Sequence, residues 1–157
     1  MRARVSAEHR YEHGDKDALF HLEGLNRRVA IATDNAYCKS SSDLRREYRL
    51  ISFIVPAYDE ENLLGATLDA LHAAGKALNE PYELVVADDA STDRTATVAE
   101  RHGARVVRVA HRQIAATRNS GARAAAGELF IFVDADTIVS EAVVRAAVDA
   151  SSTTISS

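Results

Sequence analysis

Before residue 50 the hydrophobic positions follow no sustained period; after it, strand-like runs and helix-like spacings alternate to the end of the chain. Leu50-Ile-Ser-Phe-Ile-Val55 is a short apolar run of strand type, which Pro56 should stop because proline has no amide donor. Leu63, Leu64, Leu68, Leu71 and Leu78 recur at helical spacing and predict an amphipathic helix from about Glu60 to Asn79. Tyr82 to Ala87 reads as a second strand. Thr92 to His102 reads as a second helix, with Ser91 or Asp93 as its N-cap and Gly103 as its stop. Arg105 to Val109 is a third strand, and Gln113 to Ala126 an Ala-rich helix followed by Gly127. Leu129-Phe-Ile-Phe-Val133 is too short for a helix and rich in aromatic and β-branched residues, so it reads as a fourth, buried strand. Ser140-Glu141 then opens a last helix to about Ala150, leaving 151–157 as a frayed polar tail.

Strands alternating with helices predict an α/β fold: a Rossmann-like open, mostly parallel sheet with helices on both faces and right-handed crossovers. Residues 50–150 form this domain. Residues 1–49 read as a loosely structured extension, dispensable for folding, although Val29-Ala-Ile-Ala32 has the makings of a short strand. A parallel sheet points all its strand C-termini one way, and ligands bind beyond that edge. The segments that follow the strands there are Ala57–Glu61, Asp88–Asp93, His111–Gln113 and Asp134–Asp136, so most of the concentrated acidic residues fall on one edge.

Asp134 and Asp136 carry the sharpest chemistry. At i and i+2 on an extended chain they point to the same side, with Cα atoms about 7 Å apart. Such a pair is costly unless something positive joins it, and a hard divalent cation holding a diphosphate suits it. The alternative is a capped turn. Asp88 and Asp89 can accept hydrogen bonds from a nucleobase or ribose, or can cap the following helix. Pro56-Ala-Tyr-Asp-Glu60 can set Tyr58 against a base with Glu60 near it, while Glu60 and Glu61 serve equally well as first-turn acids. Arg118 can reach a phosphate or simply be solvated. Gly121, inside a helix, suggests close packing on the sheet, since Gly costs ~1 kcal/mol against Ala there. His72 and His102 read as structural or surface residues, and His111 lies on the ligand edge.

The chain has 157 residues, 46% apolar, with a net charge of −4. That charge is uneven: residues 1–49 carry 10 Lys/Arg against 8 Asp/Glu, and residues 50–157 carry 9 against 15. An acidic domain argues against non-specific nucleic-acid binding. Cys38 is the single cysteine, so no intrachain disulfide forms, and a reducing, cytoplasmic setting is the default. No secretory-type or membrane-spanning apolar run is present, which leaves at most peripheral membrane association. The sequence also lacks G-x-G-x-x-G, G-K-[ST] and G-x-S-x-G, which excludes dinucleotide-binding, P-loop and nucleophile-elbow readings. A phospho-acceptor receiver domain has a similar acidic pair but expects a late lysine, and none follows Lys76.

Four motifs taken together, Ile54-Val-Pro-Ala-Tyr-Asp-Glu-Glu61, Val85-Val-Ala-Asp-Asp-Ala-Ser-Thr-Asp93, Ala116-Thr-Arg-Asn-Ser-Gly121 and Gly127-Glu-Leu-Phe-Ile-Phe-Val-Asp-Ala-Asp136, resemble family 2 glycosyltransferases of GT-A fold in order and spacing. The resemblance implies a nucleotide-diphosphate sugar donor, most often UDP-linked, Mg²⁺ or Mn²⁺, and metal-assisted transfer to an acceptor with inversion. It implies that Pro56, Ala57, Tyr58 and Glu60 frame the base, that Asp88 or Asp89 contacts uracil or ribose, that Asp134 meets the ribose and metal, and that Asp136 holds the metal. Ala87 and Ala90 depart from a commoner Val and Gly. The family's acceptor half and catalytic base lie beyond the D-x-D, so the resemblance implies a truncated domain. On that reading the chain is either part of an active transferase or a catalytically incomplete donor-binding fragment that associates with a missing acceptor half.

Overall fold

The computed structural model of the chain describes residues 28–31 and 50–152. Its elements are β1 (Arg28–Ile31), β2 (Ile51–Ala57), α1 (Leu64–Leu78), β3 (Tyr82–Asp89), α2 (Thr95–Arg101), β4 (Arg105–Val109), α3 (Ile114–Ala124), β5 (Leu129–Phe132) and α4 (Glu141–Ser152). The strands form one parallel sheet in the order β1-β5-β2-β3-β4. The α/β fold expected from the alternating pattern is what forms.

Period-2 alternation sorts the core. Ile51, Phe53 and Val55 of β2, Leu84 and Val86 of β3, and Leu129 and Ile131 of β5 face one side, where they bury Leu64, Leu68 and Leu71 of α1 and Val144 and Val148 of α4. Ile54, Val85 and Phe130 face the other side, under α3. Helices therefore cover both faces, with α1, α2 and α4 on one and α3 alone on the other. α3 comes close: a Cβ added to Gly121 would lie 2.7 Å from Ile54 Cγ2 and 3.4 Å from the Ala87 Cβ, which accounts for glycine there.

Four element boundaries differ from the sequence reading, the first three for a local reason. Pro56 does not stop its strand. Leu50 and Ile54 give their carbonyls to the β5 side, so alternation turns the amide position of Pro56 the same way, past Ile54, the last residue of β2 paired with β5. A proline there costs the sheet no hydrogen bond. α1 starts at Leu64 rather than near Glu60, and α2 at Thr95 rather than Thr92, because the intervening amides bond across to the neighbouring loop. α4 runs on to Ser152, into the segment expected to fray; residues 153–157 lie outside the described residues.

Within the segment expected to be loose, Arg28–Ile31 form β1, a strand in register with Leu129–Phe132. This is the Val29–Ala32 stretch noted above as a possible strand, shifted by one residue, and β5 supplies the parallel edge it pairs with. The rest of 1–49 lies outside the described residues. Among the described residues no helix is long and apolar enough to cross a membrane.

Candidate functional site

The chain passes from β2 outward to β3 and β4, then crosses back to β5 on the other side of β2. This reversal opens a crevice at the carboxyl ends of β2 and β5, where ligands bind in open α/β sheets. An open cleft of about 640 Å³ lies there. Of the residues singled out from sequence, Pro56, Ala57, Tyr58 and Glu60 line it from β2 and the loop after it. Asp89 and Arg118 line it from β3 and α3, and Asp134 and Asp136 from the turn after β5. Asp88 is not among the lining residues.

Sheet parity explains the separation of the two neighbouring acids. Asp88 follows Leu84 and Val86 toward the α1 and α2 side, where its carboxylate accepts the Ser91 amide at 3.2 Å. Asp89 follows Val85 toward α3. It is 6% exposed and its carboxylate is heavily used: Oδ1 accepts the His111 and Arg112 amides at 2.6 and 3.0 Å, and Oδ2 accepts the Thr117 hydroxyl at 2.9 Å. Burial pushes its pKa up, but these bonds and one from the Gln113 amide outweigh that and hold it below the ordinary carboxylate value. Asp89 thus anchors the β4–α3 loop at the cleft wall.

Asp134 and Asp136 do not extend the strand. β5 ends at Phe132, and a turn closes with the Thr137 amide on the Asp134 carbonyl at 3.1 Å. Ala135 between them is buried, its carbonyl accepting the Thr67 hydroxyl of α1 at 2.7 Å, so the flanking carboxylates are both left exposed. Both carboxylates line the cleft from this turn and not from an extended strand. Asp134 is paired with Arg118, whose Nη2 stands 2.6 Å from Oδ1. The Arg118 Nε is buried with no hydrogen-bond partner. Burial raises the Glu60 pKa, and the negative charges of Asp136 and Asp93 raise it further.

The loops after β2 and β3 are stitched together reciprocally. The Asp59 amide donates to Ser91 Oγ at 3.0 Å, and the Asp59 carboxylate accepts the Thr92 amide at 2.6 Å. The Glu60 amide donates to Thr95 Oγ1 and the Glu61 amide to Asp93, while Glu61 accepts the Arg94 amide and Nε, both at 3.0 Å. Asp93, read from sequence as a cap, also takes the Thr95 amide, so it holds the helix entry and the neighbouring loop together. Burial pushes its pKa up, and its hydrogen bonds from Thr95 and Glu61 bring it below the ordinary value. Asp59 and Ala90 sit at φ of 52° and 58° within these loops. The result is a fixed wall beside the exposed ring of Tyr58.

Sequence reasoning missed Ile114 and Thr117 as cleft residues; Arg112 and Gln113 fall in the His111–Gln113 segment it placed on the ligand edge without giving either a role. Thr117 had one weak signal, a hydroxyl one residue before Arg118 in an Ala-rich helix. His72 and His102 are structural, as expected: the His72 Nε2–H donates to the His102 carbonyl at 2.7 Å, and its Nδ1 accepts the Tyr82 hydroxyl at 2.9 Å. His111 reaches Ser120 Oγ at 2.8 Å.

Among the described residues no three acidic, histidine or cysteine side chains form a ready metal cage. That suits Mg²⁺ or Mn²⁺ held by one or two carboxylates with phosphate oxygens and water completing the shell. Asp134 and Asp136 supply hard oxygen donors at an open cleft and fit a cation of that kind.

Comparison with known proteins agrees with this fold. The chain is 35% identical over 98 residues to the undecaprenyl-phosphate 4-deoxy-4-formamido-L-arabinose transferase of Serratia proteamaculans, covering 55% of this chain. It spans only 28% of that transferase's length. Among solved structures, glucosyl-3-phosphoglycerate synthase from Mycobacterium tuberculosis, in complex with Mn²⁺, UDP and glucosyl-3-phosphoglycerate, superposes with a TM-score of 0.51 at 28% identity. The match covers 62% of this chain and 37% of that one. The mannosyltransferase PcManGT from Pyrobaculum calidifontis, in complex with GDP-Man and Mn²⁺, gives a TM-score of 0.60 at 26% identity, over 70% of this chain and 34% of its own. Residues 52–153 match the family model described as glycosyl transferase family 2, and the chain belongs to that family.

Proposed function

We propose that the cleft binds a nucleotide-diphosphate sugar, with UDP as the nucleotide and Mg²⁺ or Mn²⁺ as the cation. The whole protein then transfers the sugar to an acceptor with inversion at the anomeric carbon. The observation that carries this reading is the Asp134-Ala-Asp136 turn, pinned through Thr67 so that both carboxylates are exposed on the same cleft as Tyr58 and Arg118. Tyr58, 51% exposed, offers a face for the base, and the stitched loops fix where that face stands. Asp136 and Asp134 would hold the cation, which neutralises the diphosphate and makes it a better leaving group. Asp89 shapes the wall through the β4–α3 loop, and we assign it positioning rather than direct contact. The Mn²⁺ and nucleotide in the two related solved structures support this choice of ligand class.

The test is a thermal-shift titration with UDP, with and without Mn²⁺, on wild type and Asp136→Ala. The expected outcome is a metal-dependent rise in Tm for wild type and none for the variant, with equal melting temperatures when no ligand is added. A wild-type protein that melts cooperatively but does not respond to Mn²⁺ and UDP together overturns the reading.

A further inference from the structure

Arg118 stands where a donor diphosphate needs a positive charge, yet its guanidinium is committed to Asp134 at 2.6 Å. Asp134 is one of only two carboxylates offered to a cation at the D-x-D turn. The arrangement is also incomplete, because Arg118 Nε is buried and has no acceptor. A buried donor left unmade is costly, so this pairing is one that an incoming ligand can improve. Around it carboxylates outnumber cations: Glu60, Asp89, Asp134 and Asp136 line the cleft against Arg112 and Arg118.

From these contacts we infer that Arg118 is a latch on Asp134, which makes the cation and the diphosphate bind together rather than separately. The inference rests on the donor-site reading above. With Arg118 in place, a cation arriving alone must share Asp134 with the guanidinium on Oδ1 or displace it, and in either case sit beside that positive charge. A cation arriving with a diphosphate offers the displaced guanidinium new acceptor oxygens, including one for Nε. Arg118 is thus a positioning residue that penalises metal binding without nucleotide and rewards metal–nucleotide binding.

The test is Mn²⁺ binding followed by electron paramagnetic resonance on the full chain, with and without UDP, in wild type, Arg118→Gln, Arg118→Lys and Asp134→Asn. Removing a partly exposed ion pair and a neighbouring like charge should tighten Mn²⁺ binding in the absence of nucleotide by about five- to tenfold in Arg118→Gln. The same variant should bind Mn²⁺ with UDP more weakly than wild type. Arg118→Lys, which keeps the charge, should stay close to wild type for Mn²⁺ alone. In an Asp134→Asn background, Arg118→Gln should lose most of its effect on Mn²⁺ alone. If wild type binds Mn²⁺ with UDP but Arg118→Gln binds Mn²⁺ alone no more tightly, the latch is refuted and the donor site stands. If wild type binds no Mn²⁺ with UDP, the donor-site reading fails first, and the latch with it.

Discussion

Asp89 should matter more for holding the cleft wall than its neighbour Asp88, and the contacts allow the cost to be worked out. Its carboxylate receives two backbone amides and one hydroxyl, at 2.6, 3.0 and 2.9 Å. Hydrogen bonds to a charged group contribute about 1.5–3 kcal/mol each. The two amides belong to exposed loop residues, where water can replace the carboxylate, so Asp89→Ala should cost ~3 kcal/mol rather than the full amount. Asp89→Asn should cost much less. An amide oxygen still accepts both N–H groups, and the new NH₂ faces a Thr117 hydroxyl that can turn its proton to the Gln113 carbonyl at 3.0 Å. What is lost is the charge on the acceptor, worth ~1 kcal/mol. Urea denaturation at neutral pH reads both values. Acid adds a second check with a definite sign. The folded pKa of Asp89 lies below its ordinary 3.8, so its contribution is complete above that pH and is lost as pH falls through the lower folded value. Asp89→Asn should therefore lose less stability than wild type on the acid side. Equal costs for Asn and Ala, or an Ala variant within ~0.5 kcal/mol of wild type, would refute this account.

Two further outcomes follow from the backbone and the sheet. Ala90 holds φ at 58°, a left-handed conformation that costs a residue with a Cβ roughly 1–2 kcal/mol, so Ala90→Gly should raise stability by up to ~1 kcal/mol after the extra chain entropy of glycine, read by denaturation midpoint. A lower midpoint would mean the loop hydrogen bonds tolerate that φ without strain. Deleting residues 1–45 removes β1 and leaves Leu129–Phe132 unpaired on one side, so thermal melting should shift downward relative to the full chain. An unchanged Tm would show that β1 adds nothing to the sheet.

How far the site could be read in advance depended on whether the local pattern or the strand order decided it. The helices and the four strands from Ile51 onward were legible because alternation and leucine spacing are local signals, and both core faces followed from them. That Asp134 and Asp136 lie at the carboxyl edge of the sheet was also legible, though they line the cleft from a turn, with the Ala135 carbonyl held by Thr67, and not from an extended strand. The β1 strand was legible only as a possibility: Val29-Ala-Ile-Ala32 has strand character, but nothing in a polar segment says which edge it joins, and the pairing with β5 decides that.

The acidic pair on β3 shows most clearly what a one-dimensional reading leaves out. Asp88 and Asp89 look interchangeable as a motif, yet a strand sends adjacent side chains to opposite faces, and of the two only Asp89 lines the cleft. Leu84 and Val86 in the α1-side core and Val85 under α3 already fix the parity, so Asp89 had to fall on the side of Thr117. The partner of Asp134 could not be read the same way. It depends on β5 crossing back beside β2, which carries the turn after β5 over to Arg118 of α3, 16 residues earlier in the chain. Parity is a property of the local strand, whereas the Arg118–Asp134 pair is a property of the crossover. The crossover therefore creates the switch-point cleft and, in the same step, places a cation across its D-x-D turn.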